Sequence, residues 1–503
     1  HIDDVSPSPN SSPGRRVTLL RLGAACPAAG TDPAAHGLVS VTDNGRCELR
    51  ADRQTLPSGR RRYVFSVGIS ELYLGSLLDG VQLVPRGSWR RFLMLATLTV
   101  AGCLPEATRP RAGVPTLDDA GSGGYVALSA GREHACALTA DGTAYCWGSN
   151  EFGQLGVSDV ETTCPRGDRD ISCRARPTAV TTSLKFRRIA AGGVHTCAIA
   201  MDDRVYCWGD NLHGALGDPA LRSSAVPAPI VTTSLFLDVA AGAEHSCAVR
   251  LDGVGACWGS NDWGQVGAGS NATSIAIPVA IGGANRFASI TASGDRTCAR
   301  ALDGSGFCWG RSWSGVGGGT GTRPQANPQR VQGTLLFRTL EAGGSTTCGV
   351  TLDNAAYCWE ANLFGTIGDG TLIPSQTPQP VAAGASLVAL RSGVSHTFGI
   401  DESGLAWCWG AGERGELGVS PVFLHARCGE SRLHCTPAPR RVNGWRQYSV
   451  MATGQGSFSC ALSLGGNVFC WGAGDMGQRG DGRLSFGEWS PVKVGTPQDV
   501  APL

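Results

Sequence analysis

Apolar and polar positions along this chain recur in blocks. The stretch "LSAGREHACALTADGTAYCWGSNEFGQLG" (128–156) sets short apolar runs between clusters of Gly, Asp and Asn. The stretch "IAAGGVHTCAIAMDDRVYCWGDNLHGALG" (189–217) repeats the same order. Runs of this length bounded by turn residues read as strands. "CWG" recurs at Cys146, Cys207, Cys257, Cys308, Cys408 and Cys470, with "CWE" at Cys358, so seven copies fall at intervals of 50 to 62 residues. Each unit closes on a Pro-x-x-Val-like strand, as in "PTAV" (177–180) and "PVKV" (491–494). The array runs from about Gly124 to Val494. Self-similarity at this period marks a repeat architecture rather than several unrelated domains.

Within "CALTADGTAYC", apolar and polar residues partly alternate on both sides of Ala140-Asp141-Gly142. A three-residue hairpin loop takes a type I turn followed by a left-handed residue, a conformation that Gly142 adopts without steric cost. The register then sets Thr139 opposite Thr143 and Cys136 opposite Cys146. Opposed residues of an antiparallel pair have Cβ atoms roughly 4.5–5.5 Å apart, which a small adjustment brings to disulfide geometry. The same ten-residue separation recurs at Cys197/Cys207, Cys247/Cys257, Cys298/Cys308, Cys348/Cys358 and Cys460/Cys470. In the sixth unit Phe398 takes the partner position and leaves Cys408 alone. Loss of one half of one pair favours disulfides; the alternative is buried, reduced cysteines acting as small hydrophobes. Zinc is disfavoured, because each hairpin offers two sulfurs without a second ligand pair. Trp147 follows Cys146 and therefore points to the other sheet face. Both faces of each small sheet then carry bulky side chains, which suits sheets stacked face to face in a ring.

Composition sharpens this picture. Gly 72 in 503 residues, with only 17% charged residues, fits many tight turns between short strands. The net charge of +1 gives no general attraction to nucleic acid. Lys185 and Lys493 are the only lysines, and with abundant Ala and Gly the arginine bias suggests a GC-rich bacterial genome. Twenty cysteines are many for a reducing compartment.

These units resemble RCC1 (regulator of chromosome condensation) repeats. That pattern is carried by Gly131, His134, Leu138, Asp141, Gly142, Trp147, Gly148, Asn150, Gly153, Leu155 and Gly156, in this order. The resemblance implies an all-β, seven-bladed β-propeller with four-stranded blades. It leaves open where the ring closes and how sequence units map onto blades. His134, His195, His245 and His396 share one position, where Arg296, Thr346 and Phe458 stand in the other units. Asp203 replaces the turn glycine in unit two, and Ser312 replaces the asparagine in unit four. Single positions that decay around a ring point to scaffold histidines rather than catalytic ones.

Units one and six are longer, both between "QLG" or "ELG" and the closing strand. The inserts "VSDVETTCPRGDRDISCRARP" and "VSPVFLHARCGESRLHCTPAP" each hold a close cysteine pair, Cys164/Cys173 and Cys428/Cys435. They read as surface loops stapled by disulfides, each closure adding roughly 2–3 kcal/mol in the chain-entropy model. Long loops on a rigid scaffold are where binding usually resides. Arg166, Asp168, Arg169 and Asp170 in the first, and Glu430, Arg432 and His434 in the second, are the candidate binding residues. Arg166-Gly167-Asp168 also spells an integrin-type tripeptide, which three residues match easily by chance. No HExxH, P-loop or Gly-x-Ser-x-Gly turn occurs. The expectation is a non-enzymatic protein with no cofactor and no metal.

Residues 1–89 do not resemble the repeats and read as unstructured, or as sequence upstream of the true start; Val84 or Met94 would serve as a first codon. Residues 90–103, "RRFLMLATLTVAGC", order a positive start, a short apolar run and small residues, as a secretory signal does. The run is too short to span a bilayer comfortably. Val100-Ala101-Gly102-Cys103 resembles the lipobox of bacterial lipoproteins, which implies lipidation of Cys103. Residues 104–123 read as a Pro/Gly tether, and residues 124–503 as the propeller. The favoured expectation is an exported monomer of the cell envelope or extracellular space. It would bind an unknown protein or cell-surface ligand, and would meet a membrane only through its lipid anchor. The alternative, implied by the family's namesake, is a cytoplasmic guanine nucleotide exchange factor for a small GTPase.

Overall fold

The computed structural model describes residues 16–25, 39–41, 46–55 and 61–64, and residues 124–495 except 159–161, 312–324, 385, 422–423, 425 and 429–432. The chain divides into two units, His1–Pro105 and Glu106–Leu503. In the first, strand Arg46–Thr55 pairs antiparallel with Arg16–Ala25, Val39–Val41 and Arg61–Val64. The signal-like and tether segments, 90–103 and 104–123, lie outside the described residues, and Cys103 with them. So does the Ser312 departure.

The second unit is a ring of seven antiparallel sheets, one per sequence unit and in sequence order. Blade 1 is built from Tyr125–Ala130, His134–Thr139, Ala144–Ser149 and Arg169–Ala179. Blades 2, 3, 4 and 5 begin at Phe186, Phe236, Phe287 and Phe337, blade 6 at Leu387 and blade 7 at Tyr448. First strands of neighbouring blades touch around the ring, blade 7 against blade 1 included, and therefore line the axis. The fourth strands form the rim, as the largely exposed strand Ser223–Pro229 illustrates.

The hairpin geometry agrees with the sequence reading. Cys136 lies opposite Cys146, and the Thr139 N–H donates to Thr143 O at 3.0 Å. Gly142 is left-handed at φ 81°, and Asp203 accepts the same conformation at φ 66°. The six hairpin cysteine pairs sit at disulfide bonding distance, with Cα atoms 4.0 to 4.1 Å apart. In blade 6 Phe398 faces Cys408, and its ring packs edge-on against Trp471 with centroids 5.7 Å apart. The buried Cys408 thiol donates to Arg440 O at 3.3 Å, and burial pushes its pKa up.

Neighbouring blades are joined by one recurring network. Trp208 Nε1–H donates to Gln154 O of blade 1 at 3.0 Å, and the Thr196 hydroxyl donates to that same carbonyl at 2.8 Å. With its proton so committed, Thr196 Oγ1 accepts from His134 Nε2–H at 2.9 Å. The carbonyl belongs to the "GQLG" turn of one blade, and the tryptophan and hydroxyl to the next. His195, Ser246, Ala215 O and Trp258 repeat the arrangement. So do His245, Thr297, Gln265 O and Trp309, and again His396, Ser459, Glu416 O and Trp471.

Of the three departures from histidine, Arg296 and Phe458 are compensated across the joint, while Thr346 bonds within its own blade to Ala361 O at 3.0 Å and to the Thr366 hydroxyl at 2.6 Å. Arg296 reaches into blade 5 to an ion pair with Glu360, which stands where other blades have glycine and accepts from the Thr347 hydroxyl at 2.6 Å. At the seam, blade 7 carries Phe458, and the facing residue of blade 1 is Ala135 rather than Ser or Thr; both are fully buried in one apolar cluster. The seam needs no exchanged strand. Trp147 Nε1–H donates to Gln478 O at 3.0 Å, the Gln455 N–H to Gly131 O at 3.1 Å and the Tyr125 N–H to Gly466 O at 2.9 Å. A Cβ on Gly454 would lie 2.0 Å from Gly131 O, so this approach of main chains requires glycine.

Burial holds His134 and His245 down to about 3, and His195 and His396 down to about 4, so all four are neutral across the physiological range. Burial raises Glu360 to about 7, against the pull of Arg296 and Thr347, and raises Glu416 to about 7.

Thr196→Val leaves the buried His134 Nε2–H without an acceptor and should destabilise the protein by about 1–3 kcal/mol in denaturant titration. Combining Thr196→Ala with His134→Phe, which copies the seam, should recover most of that loss; an additive double variant would contradict compensation. In the unfolded chain the four histidines protonate near 6.5, so their contribution is complete above that pH and is lost as pH falls towards 4. The two raised glutamates act with opposite sign, their contribution falling as pH rises from 4.5 through 7. Four groups outweigh two below pH 6.5, so the thermal midpoint should fall between pH 6.5 and 4.5; an unchanged midpoint would refute this assignment.

Candidate functional site

Antiparallel order divides the turns between two faces. The turns joining first to second and third to fourth strands share one face, here the hairpin face. The Asp141-Gly142-type turns and the blade-to-blade connections share the other, as the bond from the Phe186 N–H to Gly142 O at 2.8 Å attests. Both sequence inserts emerge on the hairpin face, from blades 1 and 6, with blade 7 between them.

The inserts are hairpins rather than the loops expected. In blade 1, Thr163–Arg166 pairs with Arg169–Ala179 and adds a fifth strand to the sheet. The turn is the two-residue Gly167-Asp168, with Gly167 at φ 65°. A glycine at this place suits a turn whose twist matches the strands. Cys164 and Cys173 are at bonding distance with Cα atoms 5.9 Å apart, and Ile171 and Met476 of blade 7 pack against them. In blade 6, Ala426–Cys428 pairs with Leu433–Arg441 in the same manner, and Cys428 and Cys435 close it.

Arg166 bridges Glu133 and Glu151 of its own blade, and Arg169 pairs with Glu151 at 2.6 Å. Partial burial opposes the Arg166 charge, but the two carboxylates outweigh it and hold the pKa above its ordinary value. Arg166 is thus engaged internally, which weighs against the integrin-type reading of Arg166-Gly167-Asp168. Asp168 and Asp170 are exposed at and beside the hairpin tip. In blade 6, His434 secures the hairpin: its N–H donates to Glu413 and its Nδ1–H to Leu424 O at 3.0 Å. Glu430 and Arg432 lie outside the described residues.

The structure brings Arg166 and Arg169, but not Asp168 or Asp170, together with residues that sequence reasoning missed. A cleft of about 270 Å³ runs from the hairpin across blades 1 to 3, lined by Arg132, Glu133, Glu151, Arg166, Leu212 and Glu244 among others. Leu212 is 79% exposed. The unread signal was variation between units. Glu133, Val194, Glu244, Asp295, Ser345 and Ser395 share one turn position, and Glu151, Leu212 and Asp262 another. On the blade 7 side, Arg414 pairs with Asp475 at 3.2 Å and stacks 4.4 Å over the exposed Phe486 ring. Among the described residues no cluster of three or more His, Cys, Asp or Glu is placed to hold a metal ion. The face combines charges with isolated apolar side chains on a stiff frame.

Comparison with known proteins agrees with this architecture. The RCC1-like domain family matches residues 167–501, and a single RCC1 repeat matches residues 125–154. The chain is 30% identical over 90 residues to human "Probable E3 ubiquitin-protein ligase HERC6", covering 18% of this chain and 8% of that protein. It is 33% identical over 90 residues to the Arabidopsis thaliana "Ultraviolet-B receptor UVR8", 18% of each. The matched stretch thus spans less than a fifth of either relative. In fold, Prp20p from Saccharomyces cerevisiae superposes with a TM-score of 0.61 at 20% identity, over 75% of this chain and 88% of that one. Human WBSCR16 superposes with a TM-score of 0.61 at 18% identity, over 71% and 95%. With seven blades, their shared joints and a family match over most of its length, this chain belongs to the RCC1-like domain family.

Proposed function

We propose that this protein is an exported, non-enzymatic binding scaffold, held at a membrane by lipid on Cys103, whose hairpin face engages a protein or cell-surface ligand. One observation carries the reading: eight cysteine pairs of the propeller lie at bonding distance, including both that close the inserted hairpins. Disulfides at this density form and persist outside reducing compartments. That favours the cell envelope or extracellular space over the cytoplasm, and weighs against the exchange-factor alternative. The stapled hairpins that flank blade 7, with Asp168 and Asp170 at one tip, present the individual chemistry of the chain.

Mass spectrometry of the mature protein tests the reading. A diacylated N-terminal Cys103 and a non-reduced Cys136–Cys146 peptide are expected; free thiols together with peptides from residues 1–80 would refute export. Replacing both inserts with the short turn of blade 3 should abolish ligand capture while the unfolding midpoint stays within a few degrees. Undiminished capture would move the site elsewhere.

A further inference from the structure

The propeller's entry face differs in character from its hairpin face. The chain enters blade 1 at Gly124, whose Cα would lie 3.2 Å from a Cβ on Gly466, beside the turn Ser463–Gly466 of blade 7. On that turn Leu464 is about half exposed, and its N–H donates to Gln447 O at 3.4 Å. Two residues before Gln447 stands Trp445, 75% exposed, the most exposed aromatic among the described residues. Arg441 stacks 3.4 Å from the centre of its ring, so a cation accompanies the indole. From this point an apolar arc continues along the same face. Met201, Leu251, Leu302 and Leu352 occupy the equivalent turn position in blades 2 to 5, each 50% to 54% exposed. Ala140 and Glu402 interrupt it in blades 1 and 6.

We infer that this entry face rests on the surface of a phospholipid bilayer, with Trp445 and Leu464 at the level of the headgroups. The inference rests on the anchored reading above. The occupant follows from where the chain enters. Cys103 lies 21 residues before Gly124, a span of at most about 75 Å fully extended. A membrane holding Cys103 is therefore within reach of the propeller, and the tether joins the propeller on the face that carries Trp445. Tryptophan favours the membrane interface because its ring is amphipathic, and the arginine beside it can meet a headgroup phosphate, whereas the exposed Asp141, Asp202, Asp252, Asp303 and Asp353 of the same face oppose selection for anionic lipid. Apolar side chains set singly on turn tips give shallow adsorption whose strength scales with buried apolar area. The stapled hairpins then point away from the membrane.

The test uses the full chain with a hexahistidine insertion after Pro105, bound to vesicles of phosphatidylethanolamine and phosphatidylglycerol containing nickel-chelating and brominated-chain lipid. Bromine quenches only nearby indoles; of the 13 tryptophans, the seven that follow the third-strand cysteines are buried, Trp263 and Trp489 belong to hairpin-face turns, and Trp89, Trp313 and Trp407 are changed to Phe in every variant, so that Trp445 is the one indole reporting on the entry face. Tryptophan emission should be quenched on tethering, and the quenching should be abolished in Trp445→Ser, reduced in Leu464→Ser and unchanged in Leu212→Ser on the hairpin face. Absence of quenching, or quenching that survives Trp445→Ser, overturns the orientation. The insertion tethers the chain whether or not Cys103 carries lipid. Trp445-dependent quenching in a protein whose native Cys103 is unmodified would therefore sink the anchor and support the face, whereas an acylated Cys103 without quenching would do the reverse.

Discussion

At five of the seven joints, among the described residues, the ring depends on a single shared carbonyl. Gln154 O, and its counterparts Ala215 O, Gln265 O, Thr366 O and Glu416 O, each accept both a tryptophan N–H and a hydroxyl from the following blade. A buried indole N–H without an acceptor is costly, so the tryptophan fixes where the preceding turn must lie. The turn in turn fixes the third strand, and the third strand carries the cysteine that braces the hairpin. This coupling explains why "CWG" and "GQLG" travel together through the sequence. Neither motif is complete within its own blade.

Much of this was legible in the sequence, because turn chemistry and strand register are local. Gly142, Cys136 and Cys146 lie within one hairpin, and two rules placed all three. The joint was not legible, because its members are separated by a whole unit: His134 and Thr196 lie 62 residues apart. Read singly, Arg296 and Phe458 look like relaxed positions. Read across the joint, each matches its partner, Glu360 in one case and Ala135 in the other. The same limit hid the cleft, whose walls come from three successive blades. The extra strands were hidden for a different reason: Thr163–Arg166 is only two residues from its partner but shows no alternation of apolar and polar side chains.

Constancy and individuality are separated in space. The joints and braces are buried in the blades, where desolvation keeps histidines neutral and the Cys408 thiol protonated. Charges that differ from unit to unit gather on the hairpin face, and a recurring apolar turn residue gathers on the other. A frame held by internal pairing can vary its faces independently, because the side chains there carry little of the folding energy.

Among the described residues of the propeller each cysteine bridge closes within a single blade, and none crosses from one blade to the next. The seam between Gly131 and Gly454 is therefore held by hydrogen bonds and packing alone, and its histidine position is the apolar Phe458. Tension along the chain entering at Gly124 meets the Tyr125–Gly466 bond first and is resolved at this joint, not along any covalent brace. Under mechanical load the ring has a defined place to open, with every blade on either side of it still stapled shut.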